Sequence, residues 1–311
     1  MAGAFVISRG AKTHVDIVVV EARDGAHVGR GEGTPIYYRG ESAESCVAQI
    51  QRLPHDLDRA LLQHLLPAGA ARNAVDCALW ELGARQAGIP LWKLAGLAPP
   101  QPLETAMTVS LDIPERMEAA ARALAARTSL LKIKLAGEGD LARVAAVRRG
   151  APAARLVVDA NEAWANRDVA AEAATLLPFG VELIEQPVRA GDDHLLDGIA
   201  SPIPLGADES LHDRTDLARC RGRYQAVNIK LDKAGGLTEA LALKAEAQAM
   251  GFKIMVGCML STSLGIAPAF LAAQGVDWVD LDGSLLLARD REAGFVLENG
   301  MLNPPPACER G

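Results

Sequence analysis

Aromatic residues make up only 4% of this 311-residue chain. Four Trp, three Tyr and five Phe leave no stacking platform for single-stranded nucleic acid. Positive charge is not in surplus either. A formal net charge of −7 argues against a polyanionic partner, so no nucleic acid is expected. The five cysteines (Cys46, Cys77, Cys220, Cys258 and Cys308) are odd in number and include no CxxC pair, which argues against a zinc ribbon or a disulfide framework. The six histidines show neither HxH nor HExxH spacing. No apolar run approaches the roughly 20 residues that span a bilayer. Met1 to Lys12 lacks the basic, then apolar, pattern of a secretion signal. A cytoplasmic protein with reduced thiols and no membrane partner is expected.

What is present is a chain long enough for a large core, half apolar and 23% charged. Val15 to Ala22 and Val28 to Gly33 read as strands around an Asp24-Gly25 turn. Residues 42–95 are helical, with Ser42 and Ser45 as cap and Ala70 to Ala87 at helical spacing. Pro99-Pro100-Gln101-Pro102 marks a boundary. Beyond it, short β runs alternate with Ala-rich helices through Trp278–Leu281. The expected fold is α/β: a TIM-like (β/α)7β barrel over 104–289, an N-terminal α+β capping domain over 1–103, and a tail, 290–311, packing with the cap. Gly29-Arg-Gly31-Glu-Gly33 has a phosphate-loop look but opens no helix, so a turn beside the cap is expected. Ser129-Leu-Leu-Lys132 matches SxxK, yet residues three apart on a strand face opposite ways, and neither SDN nor KTG occurs.

The charged residues fall at strand ends. Lys132 and Lys134 end the second barrel strand, Asp159 the third, Glu185 the fourth, Asp208 the fifth, Lys230 the sixth and Asp280 the eighth. Spacings of about one βα unit set them side by side at the barrel mouth, where this architecture does its chemistry. Asp159, Glu185 and Asp208 form a hard oxygen set suited to Mg²⁺, with Mn²⁺ as a substitute; the alternative is helix capping or pairing with nearby lysines. Lys132 and Lys134 share a face of a strand with apolar flanks, and mutual repulsion together with a nearby metal should lower the pKa of at least one. Lys230 stands four strands on, across the mouth, so two bases face each other and suit removal and return of a proton. Asp280-Leu-Asp282 puts two carboxylates on one face, fit to grip an ammonium group, a second metal or a loop.

Lys132-Ile-Lys134, Val-Val-Asp159-Ala-Asn161, Ile-Glu185-Gln-Pro187, Gly-Ala-Asp208-Glu209-Ser and Asn228-Ile-Lys230-Leu-Asp232-Lys233-Ala-Gly235-Gly236 resemble the enolase superfamily, muconate-lactonizing subgroup. Asp280-Leu-Asp282-Gly283 narrows the resemblance to dipeptide epimerases. Phe5-Val-Ile-Ser-Arg9-Gly, the Pro67–Trp80 run and Gly257-Cys258-Met259 resemble the L-Ala-D/L-Glu type and extend the likeness over nearly the whole chain. The resemblance implies proton transfer at the α-carbon of a dipeptide's C-terminal residue, through an enolate stabilised by Mg²⁺, with a substrate such as L-Ala-L-Glu or L-Ala-D-Glu. Lysine bases acting with Mg²⁺ belong to the chemistry of the superfamily, and the resemblance alone brings them to this chain. It implies Lys134 and Lys230 as acid/bases, Lys132 beside the carboxylate, Asp280 and Asp282 on the ammonium, and Asn161 and Glu209 behind the metal ligands. Arg9, preferred because its guanidinium can bind bidentately, or Lys12 would meet the glutamate side chain, with Cys258 and Met259 also lining the substrate site. The chain begins almost at the loop bearing Arg9, where members of the family carry one further strand. N-acylamino acid racemase, o-succinylbenzoate synthase and cycloisomerase activities, or a non-catalytic binding barrel, are the alternatives; a homo-oligomer is compatible with the sequence.

Overall fold

A computed structural model describes residues 5–7 and 10–304. A short hairpin, β1 (Phe5–Ile7) with β2 (Gly10–Lys12), precedes an antiparallel pair, β3 (Val18–Asp24) and β4 (His27–Gly33). Four helices follow: α1 (Ala43–Ile50), α2 (Arg59–Leu65), α3 (Ala70–Ala87) and α4 (Leu91–Leu94). Helix α1 opens with a capping box in which Ser42 and Ser45 each accept from the other's backbone. Gly29, Gly31 and Gly33 form no turn. They occupy one face of β4, and a Cβ there would lie 2.0–2.3 Å from the Ala78, Ala74 and Ala70 carbonyl oxygens of α3. The alternating glycines are therefore a packing device that lets helix and sheet touch backbone to backbone.

After β5 (Leu103–Glu104) the barrel runs β6 (Met107–Val109), α5 (Pro114–Ala125), β7 (Leu130–Lys134), α6 (Asp140–Gly150), β8 (Arg155–Asp159), α7 (Val169–Leu176), β9 (Val181–Glu185) and β10 (Leu205–Ala207). It continues through α8 (Leu217–Cys220), β11 (Ala226–Lys230), α9 (Leu231–Ala234), α10 (Leu237–Ala249), β12 (Lys253–Gly257), α11 (Ser263–Ala272) and β13 (Trp278–Asp280). Strands β6 to β13 pair in sequence order as an eight-stranded parallel sheet. A bond from Ala106 N to Val279 O, 2.8 Å, draws its two edges together, giving the expected barrel. Its lower interior is an apolar plug of Ala106, Leu130, Val157, Leu183, Ala226, Met255 and Trp278. Side chains alternate along a strand, so the residues two places on from this plug point inward one layer higher. They are Thr108, Lys132, Asp159, Glu185, Asn228, Gly257 and Asp280. Sequence period thus lays a charged floor on an apolar base.

The tail first sends Arg291 to Glu32 of β4, Nη2 to Oε2 at 3.2 Å. It then forms β14 (Val296–Glu298) and β15 (Met301–Asn303), and β15 pairs with β5, near the strands' N-terminal ends. The N-terminal part docks on the mouth through polar contacts. Asp232 Oδ1, just beyond β11, accepts from Thr34 N and Asn73 Nδ2, both at 2.8 Å. Arg72 donates to the carbonyls of Ala234 and Gly235. No helix among the described residues is long and apolar enough to cross a membrane.

Candidate active site

Register fixes the site. Lys134, Asp159 and Glu185 are successive Cα partners across β7, β8 and β9, while Lys230, Gly257 and Asp280 are partners across β11, β12 and β13. Asp159, Glu185 and Asp208 are buried, and one oxygen of each lies within 4.8 Å of the others. Four lysines hold this cluster. Lys132 Nζ sits 2.5 Å from Glu185 Oε2, 2.8 Å from Asp280 Oδ2 and 3.4 Å from Asp159 Oδ2. Lys134 Nζ donates to Asp159 Oδ2 at 2.7 Å and Lys230 Nζ to Asp208 Oδ2 at 2.6 Å. Lys233 Nζ, one turn beyond Lys230, donates to Asp208 Oδ1 at 2.6 Å and to the Asn228 carbonyl at 3.0 Å.

These pairings set the electrostatics. Burial alone would lower the Lys132 ammonium's pKa, but Asp280, Glu185 and Asp159 outweigh it and hold it well above the usual lysine value. The lowering expected for at least one of Lys132 and Lys134 therefore does not occur at Lys132, where three carboxylates lie within 3.4 Å of the ammonium. The lysine that is lowered is Lys233, through burial. Burial would likewise raise Asp208, yet Lys230 and Lys233 keep it well below the carboxylate range. Glu185 goes the other way, pushed up to about 7 by burial and then by Asp159. Negative charge crowded at Glu185 is what a bound cation relieves, and an all-carboxylate donor set fits a hard divalent ion.

Above the cluster opens a cavity with about 730 Å³ of empty space including its mouth. Lys132, Lys134, Lys230, Asp208, Asp280, Asp282, Asn161, Glu209, Cys258, Met259 and Lys12 all border it. Asp159 and Glu185 lie beneath and do not border it. Lys12 reaches in from the N-terminal hairpin, its Nζ 3.3 Å from the Tyr37 ring centroid. Arg9 falls outside the described residues. Asp280 Oδ1 is buried and accepts no hydrogen bond among the described residues. Asp282 Oδ2 accepts from Thr108 N at 2.8 Å, and burial followed by Asp280 pushes its carboxyl up to about 6. Cys258 is held well above the usual thiol value by burial, then by Asp280 and Asp282, so it is an inert wall. Asn161 N donates to Asp159 Oδ1 at 2.9 Å from a left-handed backbone, φ 42°.

Sequence reasoning passed over three contributors. Lys233 and Asn228 stand inside the motif around Lys230, and Asn228 Nδ2 donates to Glu185 Oε1 at 2.7 Å. The signal was available: Asn228 is two residues before Lys230 on the inward face. Gly257 is the third. A Cβ there would stand 2.7 Å from Asn228 Oδ1 and 3.2 Å from Lys230 Cε, so only glycine leaves both side chains their places.

Known proteins carry the same organisation. Residues 1–96 match the mandelate racemase / muconate lactonizing enzyme N-terminal domain, and residues 115–308 match the family described as enolase C-terminal domain-like. The chain is 45% identical to the L-Ala-D/L-Glu epimerase of Escherichia coli strain K12 over 304 residues, covering 96% of this chain and 95% of that protein. It is 42% identical to an N-acetyl-D-glutamate racemase of a Pseudoalteromonas species, covering 94% of each. Among solved structures it resembles an enolase family member from Agrobacterium tumefaciens with homology to dipeptide epimerases, solved with bound sodium and L-Ala-L-Glu. That match is 49% identical, covers 100% of this chain and 96% of the other, and has a TM-score of 0.95. The chain belongs to the enolase superfamily, in its mandelate racemase and muconate lactonizing enzyme group.

Proposed function

We propose that the chain is an isomerase, a dipeptide epimerase of the L-Ala-D/L-Glu type, acting at the α-carbon of the dipeptide's C-terminal residue. The observation that carries this reading is that Lys134 on β7 and Lys230 on β11, four strands apart in an eight-stranded barrel, border one cavity. Asp159, Glu185 and Asp208 would hold Mg²⁺, with Mn²⁺ as a substitute. Such an ion supplies positive charge that makes the proton beside a carboxylate acidic. Lys134 and Lys230 take and return that proton on opposite faces, one as neutral amine and the other as ammonium. Lys132 adds positive charge by the substrate carboxylate, and Asn161 and Glu209 brace the metal ligands. Asp280 and Asp282 grip the free ammonium of the N-terminal residue, and Lys12 meets the side-chain carboxylate.

The racemase relative favours a second reading, an N-acyl glutamate as substrate. Two carboxylates on the cavity wall weigh for an ammonium instead, since an acyl group gives them nothing to neutralise. Incubating the enzyme with Mg²⁺ in D₂O and following the α-proton by NMR tests both. Exchange in L-Ala-L-Glu and little in N-acetyl-L-glutamate is expected. Exchange in no dipeptide sinks the epimerase reading.

A further inference from the structure

We propose that Gln186, oriented by a buried network of Asp193, Ser210 and Tyr224, is a positioning residue that sets the spacing between Glu185 and Asp208. The inference rests on the metal-centre reading above. Gln186 directly follows Glu185, is fully buried and sits at φ 38°, left-handed backbone that a residue with a side chain adopts only where its surroundings enforce it. Its main chain joins three strand ends. Gln186 N donates to Gly206 O of β10 at 2.8 Å, and its carbonyl accepts from Glu162 N at 2.8 Å beyond β8.

The side chain reaches the second carboxylate. Gln186 Oε1 accepts from Asp208 N at 2.8 Å and from Ser210 N at 3.1 Å, clamping the turn that carries Asp208. The amide nitrogen faces Val188 O at 2.8 Å, Ser210 Oγ at 2.8 Å and Tyr224 Oη at 3.2 Å. Proton count reinforces the amide orientation that the two backbone N–H donors already require. Ser210 and Tyr224 each own one hydroxyl proton, and both donate it to Asp193 Oδ1, at 2.5 and 2.7 Å. An ionised carboxylate only accepts, so the two hydroxyls have only lone pairs left for Gln186. Gln186 must therefore present its NH₂ to them and its carbonyl to Asp208. Asp193, 1% exposed, does not border the cavity. It acts through Ser210, Tyr224 and Gln186, and touches neither the carboxylate cluster nor a substrate.

Mg²⁺ binding to the substrate-free, full-length protein, measured by calorimetry, is the test, with the melting temperature recorded in parallel. Asp193→Asn replaces an acceptor-only group by one that also donates. It is expected to weaken Mg²⁺ about 10- to 100-fold, the usual effect of disturbing a hydrogen-bonded partner behind a metal ligand. Tyr224→Phe removes one hydroxyl, keeps the ring and should give a loss of the same direction, serving if Asp193→Asn does not fold. Raising Mg²⁺ should restore turnover in either variant, a recovery that a merely destabilised fold would not show. Mg²⁺ affinity within twofold of wild type in a variant that melts lower overturns the proposal. Wild-type protein that binds no Mg²⁺ overturns the metal-centre reading and this inference with it.

Discussion

Replacing Asp282 with Asn tests the ammonium site directly. Asp282 is buried, borders the cavity and accepts from Thr108 N, and an Asn oxygen can keep that bond. The fold should therefore survive while one negative charge is lost. A hydrogen bond to a charged group contributes about 1.5–3 kcal/mol net. At about 1.4 kcal/mol per decade, kcat/KM for L-Ala-L-Glu should fall about 10- to 100-fold. N-acetyl-L-glutamate has no ammonium, so its turnover, or its inhibition constant if it does not turn over, should change by less than about threefold. Acidity gives a second signature. The Asp282 carboxyl is pushed up to about 6, and it is charged only above that value. Wild-type kcat/KM for the dipeptide should therefore drop as pH falls through about 6, and the Asn variant should lack that limb. Steady-state kinetics from pH 5 to 8 on both substrates decides it. Equal losses for dipeptide and N-acyl amino acid would refute the assignment.

Lys134→Ala and Lys230→Ala should each abolish epimerisation, by at least about 100-fold, while one of them still exchanges the α-proton of a single epimer in D₂O. Two single variants that epimerise normally would rule out the opposed-base mechanism. Gly257→Ala pushes a methyl against Asn228 and Lys230; a displacement of about 1 Å there should lower kcat about 100-fold, and unchanged kcat would show that the lysine has slack. Asp232, buried at the contact between the N-terminal part and the barrel, has its pKa pushed up to about 7 by burial. A raised carboxyl pKa stabilises the fold fully below the unfolded value, about 3.9, and that contribution is lost as pH rises through about 7. Asp232→Asn should therefore gain in melting temperature relative to wild type between pH 5 and 8; a pH-independent difference would refute the titration.

The barrel was legible because its signal is periodic. Apolar residues inside β7, β8 and β9, each followed two places on by Lys132, Asp159 or Glu185, show inward-facing positions and where the core stops. Helix α3 runs Ala70 to Ala87, as its spacing predicts. Positions that act through contacts distant in sequence were not legible. Gln186 donates its amide N–H to the hydroxyl oxygen of Tyr224, 38 residues on, whose proton is turned to Asp193. Gly29, Gly31 and Gly33 mean nothing until α3 lies on them. The lowering expected of one of the Lys132/Lys134 pair is not met at Lys132 for the same reason. Its like-charged neighbour is visible in the sequence, whereas the carboxylates that outweigh it arrive from three other strands.

Charge balance joins the metal, the ammonium site and the acidic side chain. In the resting site, before Lys134 or Lys230 gives up a proton to serve as base, Lys12, Lys132, Lys134, Lys230 and Lys233 bring five ammonium groups among the described residues, and Asp159, Glu185, Asp208, Glu209, Asp280 and Asp282, counted as ionised, bring six carboxylates. The formal total is one negative charge, in a region where uncompensated charge is costly. A divalent cation on the triad turns that to one positive charge. A dipeptide ending in glutamate carries two carboxylates and one ammonium, a net charge of −1, and brings the assembly to zero. N-acetyl-glutamate, at −2, overshoots by one, and a neutral hydrophobic dipeptide undershoots by one. On this formal count of the resting site, the proposed epimerase reading is best met by an acidic dipeptide together with a divalent cation. A screen across dipeptides of differing C-terminal charge should therefore rank acidic residues above neutral ones, and neutral above basic.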